Sequence, residues 1–448
     1  MNTQCKEQQL TLQGLDSRNI IVSNDAKVNS SDGGLLLLGK LEQRFGIIKK
    51  LSNCFSDSRE NYRVKHSLKS LLTQRIFGIV QGYEDLNDHE ELRKDPLLQY
   101  VCGAHHRIAG KSTLNRLELG MELDNEDGNR YTKIRWDPEK IENLFTQIFL
   151  DSFRIPPTQI ILDFDATDLP LYGDQEGKFF HGYYDHYCYM PLYVFSGEHL
   201  LSARLRPSNI DGCAGSEQIL ENLVHQIRTR YPDVRIIFRG DSGFCRESLL
   251  SCCDSLKIKY VVGMAGNSRL KEILAPQMEE AMEMCHKTGK ASRVFTRFSY
   301  RTRKSWSRSR QVVGKAEHLS KGSNPRFVVT NIKMDDKELY EVLYCGRGDM
   351  ENRIKEQKLD LFADRTSAGW MSSNQLRLWF SAFAYTFFVL LKRFIPFDNP
   401  NRRSLSYTLR LRLLKIAATV RISTRKVWVS LPMSFPYWDI WRQIAAAI

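Results

Sequence analysis

Acidic side chains stand at three places in the sequence where they could hold a hard cation. In QIILDFD, Asp163 and Asp165 lie two residues apart on a run of strand length, so both leave the same face, with Asp165 nearer the carboxyl end. Burying a carboxylate on an apolar strand is costly unless a cation or a hydrogen-bond donor meets it. VRIIFRGDSGF repeats the pattern: Asp241 follows an apolar strand, and Gly240 and Gly243 allow a close approach of backbone or ligand. Farther on, Tyr344, Arg347, Glu351 and Lys358 succeed one another at offsets of three, four and seven residues, near one stripe of a helix that Gly346 and Gly348 would start late.

Each place has a plainer reading when taken alone. Asp165 can cap the turn ATDLP, Asp241 can cap a helix near Cys245, and Arg347 with Glu351 can be an ordinary exposed pair of small energetic weight. Taken together, two strand-end aspartates and a helical glutamate offer the hard oxygen ligands that a pair of Mg²⁺ ions needs, with positions left for phosphate and water. Mn²⁺ would be a natural substitute. The matching chemistry is in-line attack on a phosphodiester by water or a 3′-hydroxyl, with Arg347 and Lys358 holding phosphates.

The bulk properties favour the same substrate class. Lys and Arg outnumber Asp and Glu by 65 to 52, and the isoelectric point is near 9.2, which suits a polyanionic partner. MNTQCKEQQLTLQGLD has no apolar stretch behind a basic segment, so a cytoplasmic protein is expected. The apolar run from Trp379 to Leu391 is shorter than the roughly 20 residues a bilayer span needs, so a buried helix and no membrane span are expected. Ten cysteines without a Cys-x-x-Cys pair argue against a zinc ribbon or a disulfide framework.

The elements around the acids give a multidomain α/β reading. Residues 1–155 are expected as a helical DNA-binding domain, from helical spacing in GGLLLLGKLEQRFGIIKKL, VKHSLKSLLTQRIFGIV and PEKIENLFTQIFLDSF. Ser112 is expected to cap a short helix in TLNRLELGM, and Asp137 with Pro138 to open the last one. Within 156–265, strands in QIILDFD, CYMPLYVF and LLSARLRP, a helix in SEQILENLVHQIRTRY and a strand in VRIIFRGD follow the ribonuclease H order, continued by a helix in CRESLLSCCDSLK and a strand in YVVGMAG. Residues 266–335 are expected as an inserted β-rich basic subdomain, since Ala291 to Lys333 holds eleven Lys or Arg against the one acid Glu317. Residues 336–396 would return to the core as helices. Residues 397–448 form a basic segment, with eight basic residues and no acid between Asn401 and Trp428, suited to phosphate contact.

The spacing Tyr-x2-Arg-x3-Glu-x6-Lys, met by Tyr344, Arg347, Glu351 and Lys358, resembles the signature of DDE transposases of bacterial insertion sequences, in particular the insertion-sequence 1380 family. The likeness runs over nearly the whole chain. It implies that Asp165, followed by Ala166 and Thr167, is the first metal-binding acid rather than Asp163, that Asp241 is the second and that Glu351 is the third. It also implies a ribonuclease H-like core interrupted by a β-rich insertion, with Trp306 in RKSWSRSR as the candidate to stack on a flipped base. Cut-and-paste transposition would need double-stranded DNA, both the terminal inverted repeats and the target, and a homodimer gripping both ends. Two rivals remain at this point: a nuclease of the same fold that does not join strands, and a DNA-binding regulator of transposition. A carbohydrate hydrolase with paired carboxylates would leave the basic stretches unexplained.

Other signals carry less. AGKST lacks the first glycine of a phosphate-binding loop, so no nucleotide is expected. Cys102, His105 and His106, and likewise His181, His186 and Cys188, lack a recognised metal-ligand spacing, and the acids from Glu84 to Glu91 read as a solvated face.

Overall fold

The computed structural model describes residues 9–12, 20–23, 28–104, 106–122 and 133–448, so His105 lies outside the described residues. The chain forms two compact units, one from 1–52, 60–117 and 390–448, the other from 53–59 and 118–389. Residues 397–448, expected as a segment of their own, therefore share a unit with the N-terminal helices, while 118–155 belong with the sheet.

In the first unit, LLLLGKLEQRF folds as the helix Leu35–Phe45, which buries Leu35, Leu37, Leu38 and Leu41 and stops at the left-handed Gly46. Helix Leu68–Gln81 opens on Ser67, whose side chain accepts from the Ser70 N–H. The short helix after AGKST spans Lys111–Glu118, so Ser112 sits inside its first turn instead of capping it. Glu90 takes the capping role: its carboxylate accepts from the Lys111 N–H at 2.8 Å. Its neighbours in the acidic run serve similar local ends, Asp85 and Asp88 closing a capping box and Glu91 pairing with Lys94. A C-terminal hairpin, Ala418–Ile422 with Val427–Ser430, pairs onto Asn29–Ser30, and Arg421 lies over the Trp428 ring at 4.1 Å.

The second unit is a mixed α/β layer structure around one large sheet. Its eight principal strands are β1 (Gln159–Ala166), β2 (Leu192–Ser196), β3 (His199–Arg204), β4 (Arg235–Gly240), β5 (Lys259–Met264), β6 (Ser292–Tyr300), β7 (Arg310–Leu319) and β8 (Arg326–Thr330). The order across the sheet is β3-β2-β1-β4-β5-β8-β7-β6, and only the β1, β4 and β5 pairings are parallel. The strands of the basic insertion thus continue the main sheet rather than building one of their own. CYMPLYVF likewise splits: His186–Tyr189 joins a three-stranded sheet with Leu169–Pro170 and Phe179–His181, whereas Leu192–Ser196 is β2.

Alternation along the strands makes the two faces. Phe164, Phe238, Tyr260 and Val262 enter one core together with Leu220, Leu223 and Ile227 of α2 (Ser216–Arg230), Leu250 of α3 (Glu247–Ser255) and Leu274 of α4 (Ser268–Thr288). The residues between them, Ile237 and Val261, point to the opposite face and meet Leu339 and Tyr340. Helix α1 (Pro138–Leu150) opens on Asp137, whose side chain accepts from the Lys140 N–H, with Pro138 at its first position as expected. Helix α4 was not foreseen between the strands. Helix α6 (Met371–Lys392) is buried along the run from Trp379 to Leu391, with Phe383 stacked on Phe145 at 4.3 Å. Among the described residues no helix is long and apolar enough to cross a membrane.

Candidate active site

The parallel register of β1 and β4 brings the two strand-end aspartates together. Asp163 pairs with Arg239 and Phe164 with Gly240, so the next position on each strand is Asp165 and Asp241, side by side at the carboxyl ends. In a parallel pair, residues in register share a face. The rings of Phe164 and Phe238 meet on the other face, with centroids 4.9 Å apart, which leaves Asp163, Arg239, Asp165 and Asp241 together on this one. Asp163 is a structural partner: its carboxylate accepts from Arg239 Nε and, at 2.7 Å, from Nη2. Arg239 Nη1 also donates to the Leu343 carbonyl at 2.5 Å, which ties the sheet to the segment bearing Tyr344. Sequence reading passed over Arg239, although a charge between the apolar run IIF and Gly240 was a visible signal.

That segment does not wait for Gly348 to become helical. It runs as a helical turn at Asp336–Glu338, a π-helical stretch at Leu339–Tyr344, a 3₁₀ turn at Cys345–Arg347 and then α5 (Gly348–Leu361). Such a π stretch shifts the side-chain phase within an otherwise continuous helix, a device frequent at functional sites. The glycines serve close approach rather than a late start. A Cβ on Gly346 would stand 2.7 Å from Arg239 Nη1, and one on Gly263 of β5 would collide with the Tyr344 hydroxyl and crowd the Ser242 N–H at 3.0 Å.

Helix α5 delivers Glu351 and Arg347 to the strand ends. Arg347 Nη2 donates to Glu351 at 2.7 Å, while its Nη1 stands 3.5 Å from Asp165. The other Asp165 oxygen accepts from the Ala166 N–H at 3.0 Å. Burial pushes the Asp165 carboxyl up to about 7; Arg347 works against the shift, and the charges of Asp241 and Glu351 reinforce it. Charges from two other elements thus reach Asp165. Asp241 also caps the turn Ser242–Phe244 by accepting from the Gly243 N–H at 2.8 Å. The plain readings of these residues are thus present in the fold, and the convergence comes on top of them.

The donor set is all carboxylate oxygen, which suits a hard divalent cation. As the side chains stand, the cation among them is the Arg347 guanidinium, and among the described residues no three acidic, His or Cys side chains close around a single ion position. Arg347 thus stands between Asp165 and Glu351. Lys358 is engaged as well: Nζ donates to Thr167 Oγ1 at 2.9 Å and to Asp168 at 3.2 Å. Asp168 holds His186 Nε2 at 2.9 Å. Burial tends to raise the Asp168 carboxyl, but Lys358 and His186 outweigh it and hold it below the usual range. Neither Asp168 nor His186 had been singled out for this site, and nothing in their local sequence marks them. Tyr344 borders the same cluster, its hydroxyl pushed up by burial and by the Asp241 charge against the pull of Arg347.

Trp306 departs from expectation. It is 4% exposed and packed edge-on against Tyr300 at 6.0 Å, with its backbone N–H held by Thr302 Oγ1, so its ring is not offered to a base. Much of the surrounding positive charge is also consumed internally. Arg308 and Arg310 pair with Asp254, Arg310 also with Glu247, Arg293 with Glu317 and Glu341, and Arg297 with Asp336.

A comparison with curated proteins finds no match to the chain. A comparison with protein families does: the family described as Transposase DDE domain group 1 matches residues 12–448. With nearly the full length matched, the chain belongs to the DDE transposases, enzymes that act on DNA.

Proposed function

We propose that this transposase cuts DNA at the ends of a mobile element and joins the freed ends to target DNA, a cut-and-paste reaction centred on Asp165, Asp241 and Glu351. The observation that carries the reading is the convergence of these carboxylates: β1 and β4 bring Asp165 and Asp241 to neighbouring strand ends, and Arg347 joins Asp165 to Glu351 of α5. The strand order β3-β2-β1-β4-β5, antiparallel on one side of β1 and parallel on the other, supports a ribonuclease H-like core, with α4 and β6 to β8 as an insertion between the second and third acids. The intact Tyr344, Arg347, Glu351 and Lys358 spacing supports placement near the insertion-sequence 1380 family.

Two Mg²⁺ ions, or Mn²⁺ in their place, supply an activated oxygen nucleophile and stabilise the departing oxygen when bound. The chain's own part is positional. Asp165 and Asp241 present oxygens from a rigid sheet, and Asp163 with Arg239 keeps that edge in place. Glu351 is the adjustable ligand, since it is exposed and its present partner is Arg347. Arg347, once displaced from the acids, becomes available to a phosphate oxygen, and Lys358, about three turns further along the same helical stripe, is a second cation for the phosphate backbone. The first unit, with its basic C-terminal hairpin, is read as the binder of terminal repeats, and a homodimer in the bacterial cytoplasm as the form that pairs two ends.

Strand transfer of a labelled, pre-cut element end into plasmid DNA tests this reading. Joined product is expected with Mg²⁺. Cleavage without any joining would reduce the activity to that of a nuclease.

A further inference from the structure

The large sheet ends differently on its two sides. At the β3 edge the backbone is sealed: Gln375 of α6 accepts from the Leu205 N–H at 2.6 Å and donates to the Ala203 carbonyl at 3.0 Å, and the Tyr385 hydroxyl donates to the Glu198 carbonyl. At the other edge stands β6, paired to β7 on one side only. Among the described residues nothing hydrogen-bonds to the outward N–H and C=O groups of Ser292–Tyr300. The two charges of β6 do not guard it, because Arg293 is spent on Glu317 and Glu341 and Arg297 on Asp336. A long edge of this kind is a template for another strand.

Three features identify a second copy of this chain as the source of that strand. The first is register. A two-fold axis through Thr296 sets Thr296 against itself, Val294 against Phe298 and Phe295 against Arg297, so no arginine meets an arginine. Val294 and Phe298 both lie on the α4 face, where each pair joins an aromatic to a β-branched side chain. The second is spacing. Helix α4 lies over β6 and β7: Arg269 near its start sits over the Tyr300 ring at 5.1 Å and donates to the Arg301 carbonyl, while His286 near its end meets His318 of β7 with ring centres 5.9 Å apart. A helix between β6 and β7 is about one strand spacing from an axis just outside β6, so two such helices would run antiparallel about 10 Å apart, a distance at which helices pack.

The third is charge. Ile273 and Glu280 follow Arg269 at offsets of four and eleven residues, on the stripe of α4 that Arg269 turns toward β6. Ile273 is 40% exposed, and Glu280 has no ion pair among the described residues. Leu274 marks the level of the axis, since a Cβ on Gly314, the β7 partner of Thr296, would stand 2.8 Å from its Cδ1. Arg269 and Glu280 lie nearly equally far to either side of Leu274. Across the axis each arginine therefore faces the glutamate of the other copy, with Ile273 of both copies between the two pairs.

We infer that the open edge of β6 and the adjoining flank of α4 form a two-fold interface through which two DNA-free copies of the chain join their sheets. The inference rests on the homodimer reading and gives that dimer its surface.

Sedimentation of the full-length protein in low salt, without DNA, tests the interface. The wild type is expected to dimerise as its concentration rises. Arg269→Glu is expected to raise the dimer dissociation constant about tenfold, and Glu280→Arg added to the same chain to bring it back, because the opposed charges are then exchanged. Thr296→Cys reads the register. Mild oxidation is expected to link two copies of that variant, since residues on the axis stand directly opposite, but not two copies of Ser299→Cys, which faces Arg293, nor of the wild type with its native cysteines. A wild type that stays monomeric would overturn the inference and the homodimer alike. A dimer that gives no Thr296→Cys link, or that Arg269→Glu leaves unchanged, would keep the homodimer and overturn this surface. An equally ready link from Ser299→Cys would overturn the register. If Arg269→Glu melts early, the Thr296→Cys link decides alone. None of these outcomes bears on cleavage, which Glu351→Gln tests separately.

Discussion

Asp163 and Asp165 are two residues apart on one strand and face the same way, yet replacing them should move stability in opposite directions. Asp163 is buried against Arg239, held by two donors of one guanidinium. Asp163→Asn leaves that guanidinium buried without its counter-charge, a loss of about 3–5 kcal/mol. Asp165 is the reverse case, because the fold opposes its charge: its carboxyl is pushed from the usual 3.8 to about 7, mainly by burial. At about 1.4 kcal/mol per tenfold, the ionised form is disfavoured in the native state by roughly 4 kcal/mol as an upper bound. An acid raised on folding carries no penalty below its unfolded value; the penalty grows as pH rises from about 4 to about 7 and is constant above that. Asp165→Asn should therefore match wild type near pH 4 and exceed it by about 2–4 kcal/mol at pH 8. Chemical denaturation in chelator, across that range, measures both variants against wild type. If Asp163→Asn and Asp165→Asn shift stability in the same direction at pH 8, the division into a structural and a metal-facing carboxylate is wrong.

Three further outcomes follow from the geometry. Gly346→Ala puts a methyl 2.7 Å from Arg239 Nη1 and should cost about 1–3 kcal/mol, read from the thermal midpoint. Lys358→Met removes the main cation beside Asp168, a group whose stabilising contribution is present above its unfolded value and lost as pH falls through its lowered folded value. The variant should be less stable at neutral pH, and its stability should fall less steeply on acidification. Replacing Arg421, Arg425 and Lys426 of the C-terminal hairpin by Gln should flatten the plot of log affinity against log salt by about 2.7, at about 0.9 per phosphate contact. An unchanged slope would show that the hairpin does not touch phosphate.

The parts of this site that could be read from sequence were those set by local pattern. The period-two alternation of β1 and β4 gave the strand-end aspartates, and helical offsets gave the stripe of Tyr344, Arg347 and Glu351. The rest depends on partners distant in the chain. Arg239 meets Asp163 from 76 positions away, and Lys358 reaches Thr167 across 191, separations that no local periodicity encodes. The same blindness misled the reading of the insertion. RKSWSRSR looks like an exposed basic strand with an available Trp, but Asp254 and Glu247 of α3 neutralise Arg308 and Arg310 and Tyr300 packs on its ring. Charge counting cannot see such partners.

The central claim is that Asp165, Asp241 and Glu351 form one metal-dependent cutting centre. Its most direct test is cleavage of a labelled element end in Mg²⁺ by wild type and by Asp165→Asn, Asp241→Asn and Glu351→Gln, with folding of each checked by its melting curve. All three variants should fall to the level of the metal-free control while still binding the DNA. Wild-type cleavage by any one of them would contradict the shared site.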